Sequence, residues 1–171
     1  MGTFYSLFMP PQAVSANLVY FDFFNASPST SRVLVHSLVP IVSGIAAVTG
    51  ILGVDLFLTR TSAVGTGGTA ATREGTALNA ATFSALNSQE ALSASITARL
   101  TPTGGATAGA VVAWSEVFTE ETSPGSYLQY NMLRRGDAVD IPALLVLEGT
   151  GLRVIQSATG IVGNIGFNMI F

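Results

Sequence analysis

The last eleven residues, IVGNIGFNMIF, alternate strictly. Ile161, Gly163, Ile165, Phe167, Met169 and Phe171 fall on one side of an extended backbone, and Val162, Asn164, Gly166, Asn168 and Ile170 on the other. Successive strand residues point to opposite faces, whereas a helix repeats every 3.6 residues. This segment therefore predicts a strand with one face on a core. Because the sequence stops inside the pattern, the strand also predicts a terminus tied into a sheet.

The same period recurs along the chain. In NLVYFDFF, Asp22 shares a side with Leu18, Tyr20 and Phe24, opposite Val19, Phe21 and Phe23. RVLVHSLV reads as one strand. In TGILGVDLFLTR, Leu52, Val54, Leu56 and Leu58 oppose Gly53, Asp55, Phe57 and Thr59. SASITARL places Ile96, Ala98 and Leu100 together, and AVVAWSEVFTEE, YLQYNML, IPALLVL and LRVIQS complete the set. Aromatic and β-branched residues dominate these runs, and Gly, Pro, Asn, Asp and Ser clusters punctuate them. Residues 61–79, rich in Gly and Thr, predict a long surface loop. ALNAATFSALNSQEAL carries a helical spacing at Leu78, Ala81, Thr82, Ala85 and Leu86, which predicts a short helix. Eight to ten strands without helix–strand alternation predict an all-β, antiparallel sandwich of jelly-roll type. Residues 16–171 form one domain in this reading, and residues 1–15 are either its first strand or an arm docking on a neighbour through aromatic anchors.

Residues 33–54 carry no formal charge, and about 20 apolar residues span a bilayer. Pro40, Gly44, Gly50 and Gly53 interrupt this run, β-branched residues fill it and no basic cluster flanks it. It reads as two strands joined by SGIAAVTG rather than as a membrane span. The chain is 49% hydrophobic and only 10% charged, against about 25% charged in an ordinary soluble domain. Such a deficit fits a membrane protein, a low-charge β-protein or a subunit that hides much of its surface in an assembly. The net charge is −3 and every basic residue is Arg. No basic patch answers the needs of nucleic-acid binding. Cysteine is absent, which removes disulfides and thiolate metal sites.

The chemistry-bearing residues are sparse. A lone His36 supports neither a metal cluster nor a catalytic triad and reads as a strand histidine. Glu116 and Glu120 share a strand face with Trp114, a pattern read as a solvated edge, although acids beside Trp also mark sugar binding. RRGD at 134–137 reads as a turn rather than an adhesion motif. The glycine clusters GTGG, EGTG and GIVGNIG lack the strand–helix context of a phosphate loop. EGTG, residues 148–151, reads as a hairpin corner, with Gly149 and Gly151 available for positive φ and with Glu148 and Arg153 at its ends facing solvent or each other. The expectation is a non-enzymatic protein without cofactor or metal.

GDAVDIPALLVLEGTGLRVIQSATGIVGNIGFNMIF resembles the final strands of jelly-roll head cement, or decoration, proteins of tailed bacteriophages. In these, a turn leads into an apolar strand, an acidic Gly-x-Gly corner, a Leu-Arg-Val strand and a last strand ending in an aromatic. LTRTSAVGTGGTAAT and LTPTGGATAG also resemble their loops, so the likeness covers most of residues 55–171. The resemblance implies a tumour-necrosis-factor-like jelly roll, a homotrimer, and binding to the major capsid protein on the virion surface near three-fold positions, with no enzymatic activity. Candidate capsid contacts are Phe4, Tyr5, Phe8 and Met9 in the N-terminal segment, and Thr66, Gly67, Gly68 and Arg73 in the glycine-rich loop. The alternative is a receptor- or glycan-binding head of a tail fibre, with Trp114, Tyr127 and Tyr130 as stacking aromatics.

Overall fold

The computed structural model describes residues 3–43, 51–75, 79–86, 91–104, 108–120, 133–134, 143–158 and 163–171. Among these residues there is no helix, and the alternating runs form strands. They are β1 (Tyr5–Ala13), β2 (Val19–Asn25), β3 (Val33–Val35), β4 (Ser37–Ser43), β5 (Ile51–Thr61), β6 (Thr69–Ala70) and β7 (Thr72–Arg73). They continue as β8 (Thr82–Ala85), β9 (Ile96–Leu100), β10 (Ala108–Glu120), β11 (Leu133–Arg134), β12 (Leu144–Val146), β13 (Thr150–Gln156) and β14 (Asn164–Ile170). Five of the fourteen have only two or three residues; the nine longer ones match the expected number.

One sheet runs β11-β4-β14-β1-β8-β7, the other β10-β5-β13-β2-β9-β6, and β12 pairs with β3 alone. All pairings are antiparallel except the two-residue contact of β7 with β8. Successive strands change from one large sheet to the other from β1 to β2, β4 to β5, β6 to β7, β8 to β9, β10 to β11 and β13 to β14. This is an all-β, antiparallel sandwich of jelly-roll type. β5 and β10 are neighbours at one edge, yet the connection between them supplies β6 to β9, which extend both sheets at the opposite edge.

The inner faces follow the alternation. Val54, Leu56 and Leu58 are fully buried, as are Ile165 and Met169, with Phe167 nearly so. Phe167 meets Tyr20 and Phe21 edge-on, and Phe171 meets Phe23 and Phe83 edge-on while stacking on Tyr5. Burying each such side chain contributes about 1.5–3 kcal/mol. The terminus is anchored as its pattern predicted: the Phe171 and Tyr5 amides each donate to the other's carbonyl.

Several expectations change. Of the two readings of the N-terminal segment, the first strand is the one formed: residues 5–13 are held between β14 and β8. Where a helix is expected within residues 77–92, the described residues 79–86 and 91–92 form none: Thr82–Ala85 is β8, because its apolar residues find partners across the sheet from β1. The loop expected over residues 61–79 carries β6 and β7, which pair at the sheet edges. RVLVHSLV is two strands, since the chain passes at His36 from the small sheet into the first large one. In β2 the alternation breaks at Tyr20: Phe21 lies opposite Val154 and Val19 opposite Ile155, so Tyr20 is an extra residue and turns into the core. All of SGIAAVTG but Ser43, most of YLQYNML and the RGD tripeptide lie outside the described residues.

EGTG is a corner but not a hairpin. β12 pairs with β3, whereas β13 pairs with β2 and β5, so the corner hands the chain from the small sheet to a large one. The Thr150 amide closes the turn on the Leu147 carbonyl at 3.1 Å, and Gly149 has φ +69. Glu148 and Arg153 do not face each other. Glu148 accepts a hydrogen bond from the Ser27 hydroxyl at 2.6 Å, while Arg153 turns to Asp22.

Candidate functional site

The second sheet presents its polar chemistry on its outer face, and the strand register lays that chemistry out in rows. Arg153 lies opposite Thr59 on β5 and Asp22 on β2, and Asp22 lies opposite Arg99 on β9. Two residues along, Phe57 lies between Trp114 on β10 and Ile155 on β13. Two further on, Asp55 lies opposite Glu116.

The first row is closed. Arg153 Nη2 donates to Asp22 Oδ2 at 3.0 Å, with side-chain exposures of 7% and 1%. The Gly65 amide donates to the same oxygen. Arg99 Nη1 donates to the Gly67 carbonyl at 3.0 Å, and Thr66 pairs with Gly104. The loop of residues 62–68 is thus fastened over the ion pair through its own backbone. Gly65 permits the approach because a Cβ there would lie 2.5 Å from Asp22 Oδ2. Asp22 Oδ1 makes no hydrogen bond among the described residues. Burial holds the Asp22 carboxyl above its ordinary value, against the opposing pull of Arg153, the Gly65 amide and Arg99. Further along the sandwich, the buried Tyr20 hydroxyl donates to Gln156 Oε1 at 2.8 Å, and burial pushes its pKa up. Both arrangements join strands: Arg153 ties β13 to β2 through Asp22, and Tyr20 ties β2 to β13 through Gln156.

The remaining rows are open. Trp114 is 57% exposed, with Nε1 3.2 Å from Asp55 Oδ1; Glu116 is exposed. Toward the other end of β5 and β10, a cleft of about 480 Å³ is lined by Arg60, Thr61, Ser62, Gly109, Leu145, Leu147 and Thr150. The Arg60 guanidinium spans it to the Leu145 carbonyl. An exposed cross-strand pair, Leu34 and Leu145, continues the cleft's apolar wall onto the small sheet.

The residues singled out as capsid contacts fall on different layers. Phe4 is exposed and tilts against His36, Tyr5 stacks on Phe171, Phe8 is half-buried and Met9 is buried in the core. Met9 therefore offers no contact surface. Thr66, Gly67 and Gly68 are exposed on the fastened loop. The Arg73 guanidinium donates to the Leu92, Ser93 and Ile96 carbonyls and lies over Phe83, so it braces the edge. Tyr127 and Tyr130 lie outside the described residues. Sequence reasoning missed the Asp22–Arg153 pair and the apolar cleft wall. For the former, a signal existed in the single charge within FDFF.

No group of three or more potential metal ligands occurs among the described residues, and no described helix is long and apolar enough to cross a membrane. Comparison with protein-family models, curated proteins and solved structures finds no match for this chain.

Proposed function

We propose that this chain is a virion structural protein, a cement or decoration protein that binds the major capsid protein and stabilises the head of a tailed phage. In this reading it acts as a homotrimer on the capsid surface, without catalysis, cofactor, nucleic acid or membrane. One observation carries the reading beyond the resemblance. Leu34, Leu145 and Leu147 are 46%, 37% and 48% exposed and run together into the cleft edged by Gly109. A continuous apolar tract on a chain with so little charge supports a partner surface. A cement protein works mechanically: bound to the assembled lattice, it raises the free energy of separating capsomers.

The experiment compares particles with and without the protein. Particles lacking it assemble but burst at lower temperature or milder osmotic shock. Equal robustness would sink the reading. Leu145→Asp, on an exposed position, leaves the fold intact and lowers occupancy on the particle. Labelled protein in regular copies over the head supports cement; a few copies at the tail support the fibre head instead.

A further inference from the structure

We propose that the open half of the second sheet's outer face is a carbohydrate-binding platform for a neutral pyranose, a function separate from capsid binding. Trp114, Phe57 and Ile155 form a single row across β10, β5 and β13. Strands lie about 4.8 Å apart, so this row is roughly 10 Å long, and the exposed Val111 opposite Thr59 adjoins it on β10. That suits one or two sugar rings. A standard protein interface takes roughly 800 Å² from each partner, more than these four side chains supply.

The indole is held rather than loose. Its Nε1 bonds to Asp55 Oδ1 at 3.2 Å, which orients a flat aromatic surface that is 57% exposed. The apolar C–H face of a pyranose packs on such a ring. Glu116 lies one row further along, directly across from Asp55. Gly53 makes room for this acid, because a Cβ there would lie 2.3 Å from Glu116 Oε1. Opposed carboxylates on neighbouring strands repel and cost stability. A sugar on the indole places hydroxyl donors at this edge, where carboxylate oxygens accept them. The same charges disfavour sialylated or uronic saccharides. Trp114 is therefore the stacking residue, Glu116 an acceptor, and Asp55 a positioning residue for the indole.

Trp114 is the only tryptophan in the chain, so its emission reports on this face alone. A glycan array and calorimetric titration with maltohexaose, cellohexaose and chitohexaose test the proposal. The expected result is saturable binding of at least one neutral oligosaccharide with a matching change in emission. Trp114→Ala lowers affinity on the order of tenfold or more, Trp114→Phe retains part of it, and Glu116→Gln weakens it less. Trp114→Ala and Trp114→Phe keep the wild-type melting temperature, because the indole is exposed, and Glu116→Gln raises it slightly by removing one of the two opposed charges. The proposal is overturned by an array showing no neutral glycan bound, by binding undiminished in Trp114→Ala, or by binding of acidic saccharides only. It is also overturned if emission shifts to the blue with protein concentration alone, which means that a second copy covers the face. Capsid binding by Trp114→Ala remains intact, so failure here leaves the cement reading standing.

Discussion

Asp22 is the residue on which the most physics converges. It sits in an apolar strand, is 2% exposed, and joins β2, β13 and the loop of residues 62–68 through one oxygen. Removing one partner of a buried pair typically costs about 3–5 kcal/mol, because the other charge stays in low dielectric. Asp22→Ala therefore lowers stability by about that amount in urea unfolding, and it frees the loop to faster amide exchange. The pH dependence has a definite sign. With its folded pKa above the ordinary value of 3.8, Asp22 binds its proton more readily in the folded state. Its contribution is fully present below that ordinary value and is lost as pH rises through the folded one. The stability of the wild type relative to Asp22→Asn therefore falls as pH rises above the ordinary value of 3.8. A difference that rises with pH contradicts the assignment.

Among the elements, the corner at residues 148–151 separates two reasons for a glycine. At Gly149 a Cβ would meet nothing within 4 Å, but φ is +69; at Gly151 a Cβ would lie 2.3 Å from the Phe23 carbonyl. Gly149→Ala thus costs about 1–2 kcal/mol for the left-handed backbone, and Gly149→Asn less. Gly151→Ala costs more, because the obstacle is the backbone of the adjoining strand. Melting temperatures order the three variants, and a Gly149→Ala variant less stable than Gly151→Ala contradicts the geometry. The corner's existence was legible in Glu-Gly-Thr-Gly. Its role was not, because whether two apolar segments pair with each other or with third strands is decided by long-range register. The same limit explains the helix expected near residue 82. Its apolar spacing suited either period, and pairing with β1 decided it. In β2, one bulged residue redirected Tyr20, which no alternation argument detects in advance.

The whole molecule closes by joining its described ends. β1 lies between β14 and β8, and Phe171 places its ring among Tyr5, Phe23 and Phe83. Phe171→Ala therefore destabilises by about 3–5 kcal/mol, the range for a buried Phe cut to Ala, although it is the last residue. Thermal unfolding measures this, and an unchanged midpoint means that the end is frayed. At this scale the candidate surfaces were least legible. Phe4, Tyr5, Phe8 and Met9 look like one aromatic arm in the sequence, but the strand they build turns Met9 inward and leaves Phe4 outside. Trp114 and Asp55 are far apart in sequence and meet only because β10 and β5 share an edge.

Local chemistry by itself determined the class of fold. Period-2 alternation, β-branched and aromatic enrichment, and turn residues at the breaks are properties of short segments, and they suffice to specify strands and their buried faces. Tertiary structure alone decided the partnerships: Asp22 with Arg153, Trp114 with Asp55, β12 with β3, and the apolar tract from Leu34 to Leu147. The physical reason is that strand pairing is non-local. A backbone hydrogen-bond ladder accepts many sequences, and only the fit of two complete inner faces selects the register that brings particular side chains together.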